Sequence, residues 1–246
     1  MDEPRETTSN RVADGGPWGL GKTVGFGVVV AALWIATQGI ATVILAGGAN
    51  ARGRDVSSQG WVVAAAAIIG APVAVGASLL LARARRGVSI PAYLGLTWPP
   101  ARQALRWFLT LLALSVASDS LSLALGRPLV PEPMIAVYRT AGSLPIFLFG
   151  FVVAAPLAEE FLFRGFLFAG VINSRLGPPG AIALTALAWG ALHAQYDLYG
   201  IATVVAAGVL LGLVRWQTGS LWLCAVLHGL MNVIATAEVA FTFSTR

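Results

Sequence analysis

Charge is scarce in this 246-residue sequence. Asp, Glu, Lys and Arg together make up 11% of it, where a soluble domain carries about 25%. With 57% hydrophobic residues, that shortage excludes an ordinary water-soluble globule. Cysteine is nearly missing as well. Cys224 stands alone, which excludes an internal disulfide, and its apolar surroundings predict a packed thiol. The apolar stretches lack the polar–apolar alternation of strands, which argues against a membrane β-barrel. Acidic residues are few, leaving a formal net charge of +5. Because the arginines sit in short loops, this excess reads as topology control and not as affinity for nucleic acid.

What the sequence has instead is long apolar runs, each near the roughly 20 residues needed to cross about 30 Å of hydrocarbon. The predicted fold is all-α, a polytopic transmembrane helical bundle of about 7–8 helices. Seven spans are placed at 23–46, 61–82, 105–125, 145–172, 180–195, 198–216 and 219–241. Residues 83–104 and 127–144 have room for an eighth or re-entrant segment. The expected organisation is a disordered cytoplasmic tail over 1–22 and a single integral domain over 23–246, with its functional core at about 143–241. The first apolar run is too long for a cleaved signal peptide. Loops on the N-terminal side carry ten of the Lys and Arg residues and the opposite side five, with Arg164 left out as intramembrane. This bias puts the N-terminus in the cytoplasm. The stretch from Arg83 to Arg106 mixes arginines with Ile90, Tyr93, Leu94 and Trp98, a pattern suited to the headgroup interface.

Against that background, Glu159, Glu160 and Arg164 stand inside the fourth run. Each charge at a helix centre costs roughly 2.5–3.5 kcal/mol on insertion scales, so an intramembrane ionisable group is by default a functional-site hypothesis. Glu160 and Arg164 share a helical face and are expected to pair. Glu159 is turned by about 100° and stays free for chemistry. Pro156 is expected to loosen the helix just before them. The sequence has two histidines, His193 and His228. Trp189 shares a face with His193 in the fifth run, and His228 shares one with Asn232 in the seventh. Counted from the presumed cytoplasmic ends, Glu159 lies about 21 Å deep, His193 about 22 Å, and His228 and Asn232 about 14 and 20 Å. Three spans thus bring polar side chains to similar depth, as one water-filled pocket requires. Asp119, among Ser115, Ser118, Ser120 and Ser122 in the third run, is expected to bond to those hydroxyls. Glu238 is expected to reach the interface.

A carboxylate with a histidine can hold and deprotonate water, and a second histidine with an amide can donate to an oxyanion. That set describes a peptide-bond hydrolase without a covalent nucleophile. Two histidines and one or two glutamates would equally suit zinc, although no H-E-x-x-H is present. Two further readings fit the same residues. One is a non-catalytic scaffold or bacteriocin-immunity-type protein. The other is a proton-coupled transporter, for which the paired discontinuous helices are missing.

Glu159-Glu160-x-x-x-Arg164, an aromatic four residues before His193, and His228-x-x-x-Asn232 resemble the three motifs of the CPBP family of intramembrane proteases. That family includes the type II CAAX prenyl endopeptidases and bacterial proteins labelled Abi. The resemblance covers about residues 145–236. It implies that Glu159 activates the attacking water with help from His193. It implies that His228 and Asn232 stabilise the tetrahedral oxyanion, and that Glu160, held by Arg164, positions the site. It also implies a glutamate mechanism without metal or other cofactor, a multi-pass cell-membrane location, and a membrane-associated protein or peptide as substrate. The family's usual phenylalanine is Trp189 here, a departure expected to affect packing more than chemistry.

Overall fold

The computed structural model describes residues 18–47, 59–85 and 87–244. The predicted tail therefore falls largely outside the described residues, as do Arg5, Arg11, Arg52, Arg54, Arg86 and Arg246 of the charge count. The chain is a multi-pass helical membrane protein, and the described residues contain no strand. In chain order the helices are α1 (Leu20–Leu45), α2 (Gly60–Arg83), α3 (Ile90–Leu94), α4 (Ala101–Ala124), α5 (Glu132–Arg139), α6 (Leu144–Ile172), α7 (Gly177–Ala191), α8 (Leu198–Thr218) and α9 (Leu221–Ser244).

Among the described residues six helices, α1, α2, α4, α6, α8 and α9, are long and apolar enough to span a membrane. The expected fifth span is the exception. Helix α7 has 15 residues, about 22 Å of rise, and ends at Ala191 because the chain turns before Asp197. The Asp197 carboxylate then caps α8 by accepting from the Gly200 amide at 2.8 Å. The interfacial stretch also departs from expectation. Trp98 is exposed, but Tyr93 and Leu94 of α3 turn inward and are buried. Asp119 accepts no hydrogen bond from its serines among the described residues. Ser120 and Ser122 donate instead to the carbonyls of Val116 and Ser118, one turn back.

Helix α6 lies at the centre. Half of its spanning window is buried, against 17% for α1 and α4, which face the lipid. Apolar burial drives little association between helices in a bilayer, so close backbone approach has to supply the contact. Small residues provide it. A Cβ on Gly150 would stand 2.8 Å from the Ala64 carbonyl of α2, and one on Gly208 would stand 3.0 Å from Ala186 Cα of α7.

Pro156 shapes α6 as expected, by a specific route. Phe149–Ala154 before it and Phe161–Leu167 after it are wound as π-helix, a rare geometry that often marks functional sites. Pro156 has no N–H, so in the π register set by Ala155 N–H on the Gly150 carbonyl it leaves the Phe151 carbonyl without a helical donor. Helix α9 meets α6 here. Asn232 Nδ2 donates to the Phe151 carbonyl at 2.7 Å, and Gly229 packs so closely on the Val152 carbonyl that a Cβ there would come within 2.6 Å of it. The proline thus creates a docking point for α9 at the level of the acidic motif.

Candidate active site

Glu160 and Arg164 form the expected pair. Arg164 Nη1 donates to Glu160 Oε1 at 2.9 Å, and both side chains are wholly buried. Two further contacts hold the guanidinium. Its Nη2 donates to the Gly208 carbonyl of α8 at 3.1 Å, and its Cζ lies 4.8 Å from the centre of the Trp189 ring. The close α7–α8 approach at Gly208 is what brings that carbonyl within reach.

Glu160 Oε1 has a second donor, His228 Nδ1, at 2.9 Å. A carboxylate only accepts, so the proton sits on Nδ1. The other ring nitrogen, Nε2, then points at Glu159 Oε2 from 3.7 Å. His228 therefore stands between the two adjacent carboxylates, fixed by the buried one and presented to the other. Glu159 differs from its neighbour as their angular offset predicts. Its side chain is 14% exposed where Glu160 is fully buried.

Trp189 Nε1 donates to Glu159 Oε2 at 2.5 Å. This corrects the expectation that tryptophan at this position matters mainly for packing. Its N–H binds the part-exposed Glu159 carboxylate, which a phenylalanine ring has no atom to do. The same ring lies edge-on to His193 and His228, with centroids 5.1 and 5.0 Å away.

His193 lies beyond the end of α7, in the turn before α8, and not inside a span as expected. Its Nδ1 is 2.9 Å from the Trp189 carbonyl. A carbonyl accepts, so Nδ1 carries the proton and Nε2 keeps a lone pair. The Tyr196 ring stacks on His193 at 6.0 Å. Burial, reinforced by the nearby Glu159 charge, holds the Tyr196 phenol above its ordinary pKa. Tyr196 was not singled out from the sequence. Its spacing of three from His193 was the available signal.

Asn232 is one turn from His228 on α9, as expected, but its amide is committed to the Phe151 carbonyl. The amide nitrogen carries two protons, so one remains for another acceptor. Glu159, Glu160, Arg164, Trp189 and His228 thus form one connected cluster on α6, α7 and α9, with His193 attached through Trp189 and Asn232 one turn along α9 from His228. Within it Glu160 Oε2 and Arg164 Nε have no hydrogen-bond partner among the described residues. No three His, Cys, Asp or Glu side chains among the described residues converge as metal ligands would.

Cys224 is the packed thiol the sequence predicted. It is wholly buried one turn before His228, and its Sγ donates to the Ser220 carbonyl at 3.1 Å.

Residues 141–234, which hold every member of this cluster, match the model of a family described as type II CAAX prenyl endopeptidase Rce1-like. The match covers 94 of the 246 residues and supports a likeness of this segment to the CPBP/CAAX proteases. No curated protein and no solved structure matches the chain significantly. The family carries a protease function class, so a membrane-embedded hydrolase is the coarse reading of the site.

Proposed function

We propose that the protein is a glutamate-dependent intramembrane endopeptidase that hydrolyses a peptide bond of a membrane-associated protein or peptide. The observation that carries the reading is the asymmetry of the two adjacent carboxylates. Glu160 is buried and tied to Arg164 and His228. Glu159 is part-exposed, oriented by Trp189 and faced by an imidazole nitrogen. An enzyme that activates water with a carboxylate needs such a division, one group fixed and one able to take a proton.

In this mechanism water binds at the exposed side of Glu159 and gives it a proton as the oxygen attacks the scissile carbonyl. His193, with its Nε2 lone pair left free, accepts a hydrogen bond from the same water and aims it. The negative charge that develops on the carbonyl oxygen is met by donors on α9: the free amide proton of Asn232, and His228 Nε2 when it takes over, from Glu159 Oε2 3.7 Å away, the proton that came from the water. The proton taken by Glu159 then passes to the leaving amine. Burial strengthens each of these interactions relative to water. No step requires a metal or cofactor. The loop charges, ten against five, orient the N-terminus to the cytoplasm in this reading.

The test uses the purified full chain in lipid nanodiscs with quenched fluorescent peptides anchored to the bilayer by a lipid. Wild type should cleave and Glu159→Gln should not, with a rate loss of roughly 10²–10⁴-fold for the missing base. Equal cleavage by Glu159→Gln overturns the mechanism.

A further inference from the structure

A second polar cluster, sharing no residue with the acidic motif, lies at the membrane face where α1 begins and α2 ends. It consists of Trp18 just before α1, Arg85 just after α2, and Tyr93 in α3. The Arg85 guanidinium carbon lies 5.5 Å from the Trp18 ring centre. Tyr93 is 6% exposed, packs its ring on Phe166 at 6.2 Å, and senses the Arg85 charge.

The cluster has an unusual hydrogen-bond balance. Trp18 Nε1, Arg85 Nε, Arg85 Nη2 and Tyr93 Oη are all buried and have no hydrogen-bond partner among the described residues. Three of these atoms, the nitrogens, only donate, and the phenol donates as long as it is protonated. Burial pushes the Tyr93 pKa to about 12, against a smaller opposite pull from Arg85, so it keeps its proton at any physiological pH. Buried polar groups are almost always satisfied, and each exception calls for an explanation. Three donor-only nitrogens, two of them on a guanidinium, and a protonated phenol, with no carboxylate to meet them among the described residues, call for an anion.

We propose that Trp18, Arg85 and Tyr93 form a binding site for the phosphate of an anionic membrane lipid. The depth fits. Helix α1 begins at Leu20 and α2 ends at Arg83, so the site sits where headgroup phosphates lie. A Trp N–H and an Arg at a helix end are the side chains that the interface favours, and basic pockets between helices recognise lipid headgroups. The surrounding backbone is rigid enough to hold such a site. Gly95, at φ +75°, closes α3, and its carbonyl accepts from the Leu221 amide of α9 at 2.7 Å. A Cβ at Gly95 would stand 2.3 Å from the Gly219 carbonyl, so α3 is locked beneath the α8–α9 turn. Through Tyr93 and Phe166 the bound lipid would also buttress the π-helical stretch of α6.

The experiment is native mass spectrometry of the full chain released from detergent, titrated with phosphatidylglycerol. Parallel arms use phosphatidylcholine, which has the same phosphate beside a cation, and inorganic phosphate as competitor. The variants are Arg85→Gln, the conservative Tyr93→Phe, and Arg83→Gln as a control. Arg83 is exposed and carries the same charge at the same membrane face. The expected result is retention of phosphatidylglycerol over phosphatidylcholine, weakened roughly tenfold or more by Arg85→Gln and by Tyr93→Phe, the effect of one charge-assisted hydrogen bond. Arg83→Gln should bind as wild type does, and millimolar phosphate should not compete. Equal binding by Tyr93→Phe and Arg85→Gln overturns the site. Equal weakening by Arg83→Gln reduces it to diffuse surface charge. Displacement by inorganic phosphate shows a free anion and not a lipid to be its ligand. Each of these outcomes contradicts the proposal.

Discussion

Replacing Arg164 by leucine strands the Glu160 carboxylate in a place with no water. Both side chains are wholly buried, so neither charge has the screening that makes surface pairs cheap. Removing one partner of a buried pair costs about 3–5 kcal/mol, chiefly the penalty of the charge left behind. The Gly208 carbonyl loses its donor too, which adds about 1 kcal/mol. For a chain of this size that corresponds to a fall in Tm of about 10 °C or more. The double variant Glu160→Leu/Arg164→Leu removes the stranded charge and should recover at least half of the loss, although His228 then loses its acceptor. Cys224 is a built-in reporter. It is the one cysteine and is wholly buried, so a maleimide fluorophore reacts as the bundle opens on heating in detergent. If the single and double variants label at the same temperature, or if Arg164→Leu labels within about 2 °C of wild type, the argument from a stranded charge is wrong.

Other expectations follow from the same geometry. Trp189→Phe keeps the ring but loses the N–H to Glu159, and should lower kcat about tenfold with KM little changed, the worth of one hydrogen bond to a charged group. Gly229→Ala forces a Cβ to within 2.6 Å of the Val152 carbonyl, a backbone atom that cannot swing aside. It should cost about 1–3 kcal/mol in the same thiol-labelling assay, and any stabilisation would contradict the packing. Asn232→Leu leaves the Phe151 carbonyl unpaired. It should cost about 1–3 kcal/mol and lower kcat as well, whereas a loss of activity at unchanged stability would mean the amide serves the substrate alone. Strong chelators should leave peptide cleavage unchanged, and loss of cleavage with recovery on adding zinc would refute a metal-free mechanism.

Local spacing carried much of the site in the sequence. Glu160 and Arg164 had to share a face, and the pair forms even though Arg164 lies in π-helix. His228 and Asn232 were placed on one face of α9 and are found there. What spacing could not supply was the partner across helices. That His228 rests on Glu160, that Arg164 reaches the Gly208 carbonyl, and that Trp189 donates to Glu159 all depend on how closely α6, α7, α8 and α9 approach. That approach is set by Gly208, Gly229 and Pro156, whose effects are tertiary. The fifth span was overextended for a related reason. Hydropathy continues through Leu192, but Asp197 caps the next helix and forces the turn that carries His193. The inward fold of α3 was hidden because an interleaved basic and aromatic stretch reads the same whether its Tyr93 faces lipid or protein.

The most direct test compares new protein N-termini in membranes from cells that make the wild type or Glu159→Gln at equal levels. An intramembrane endopeptidase that activates water through Glu159 predicts termini that appear with wild type and vanish with the variant, each mapping to a bond near a membrane. Identical terminal profiles from the two would contradict that reading and leave the polar cluster as part of a non-catalytic scaffold.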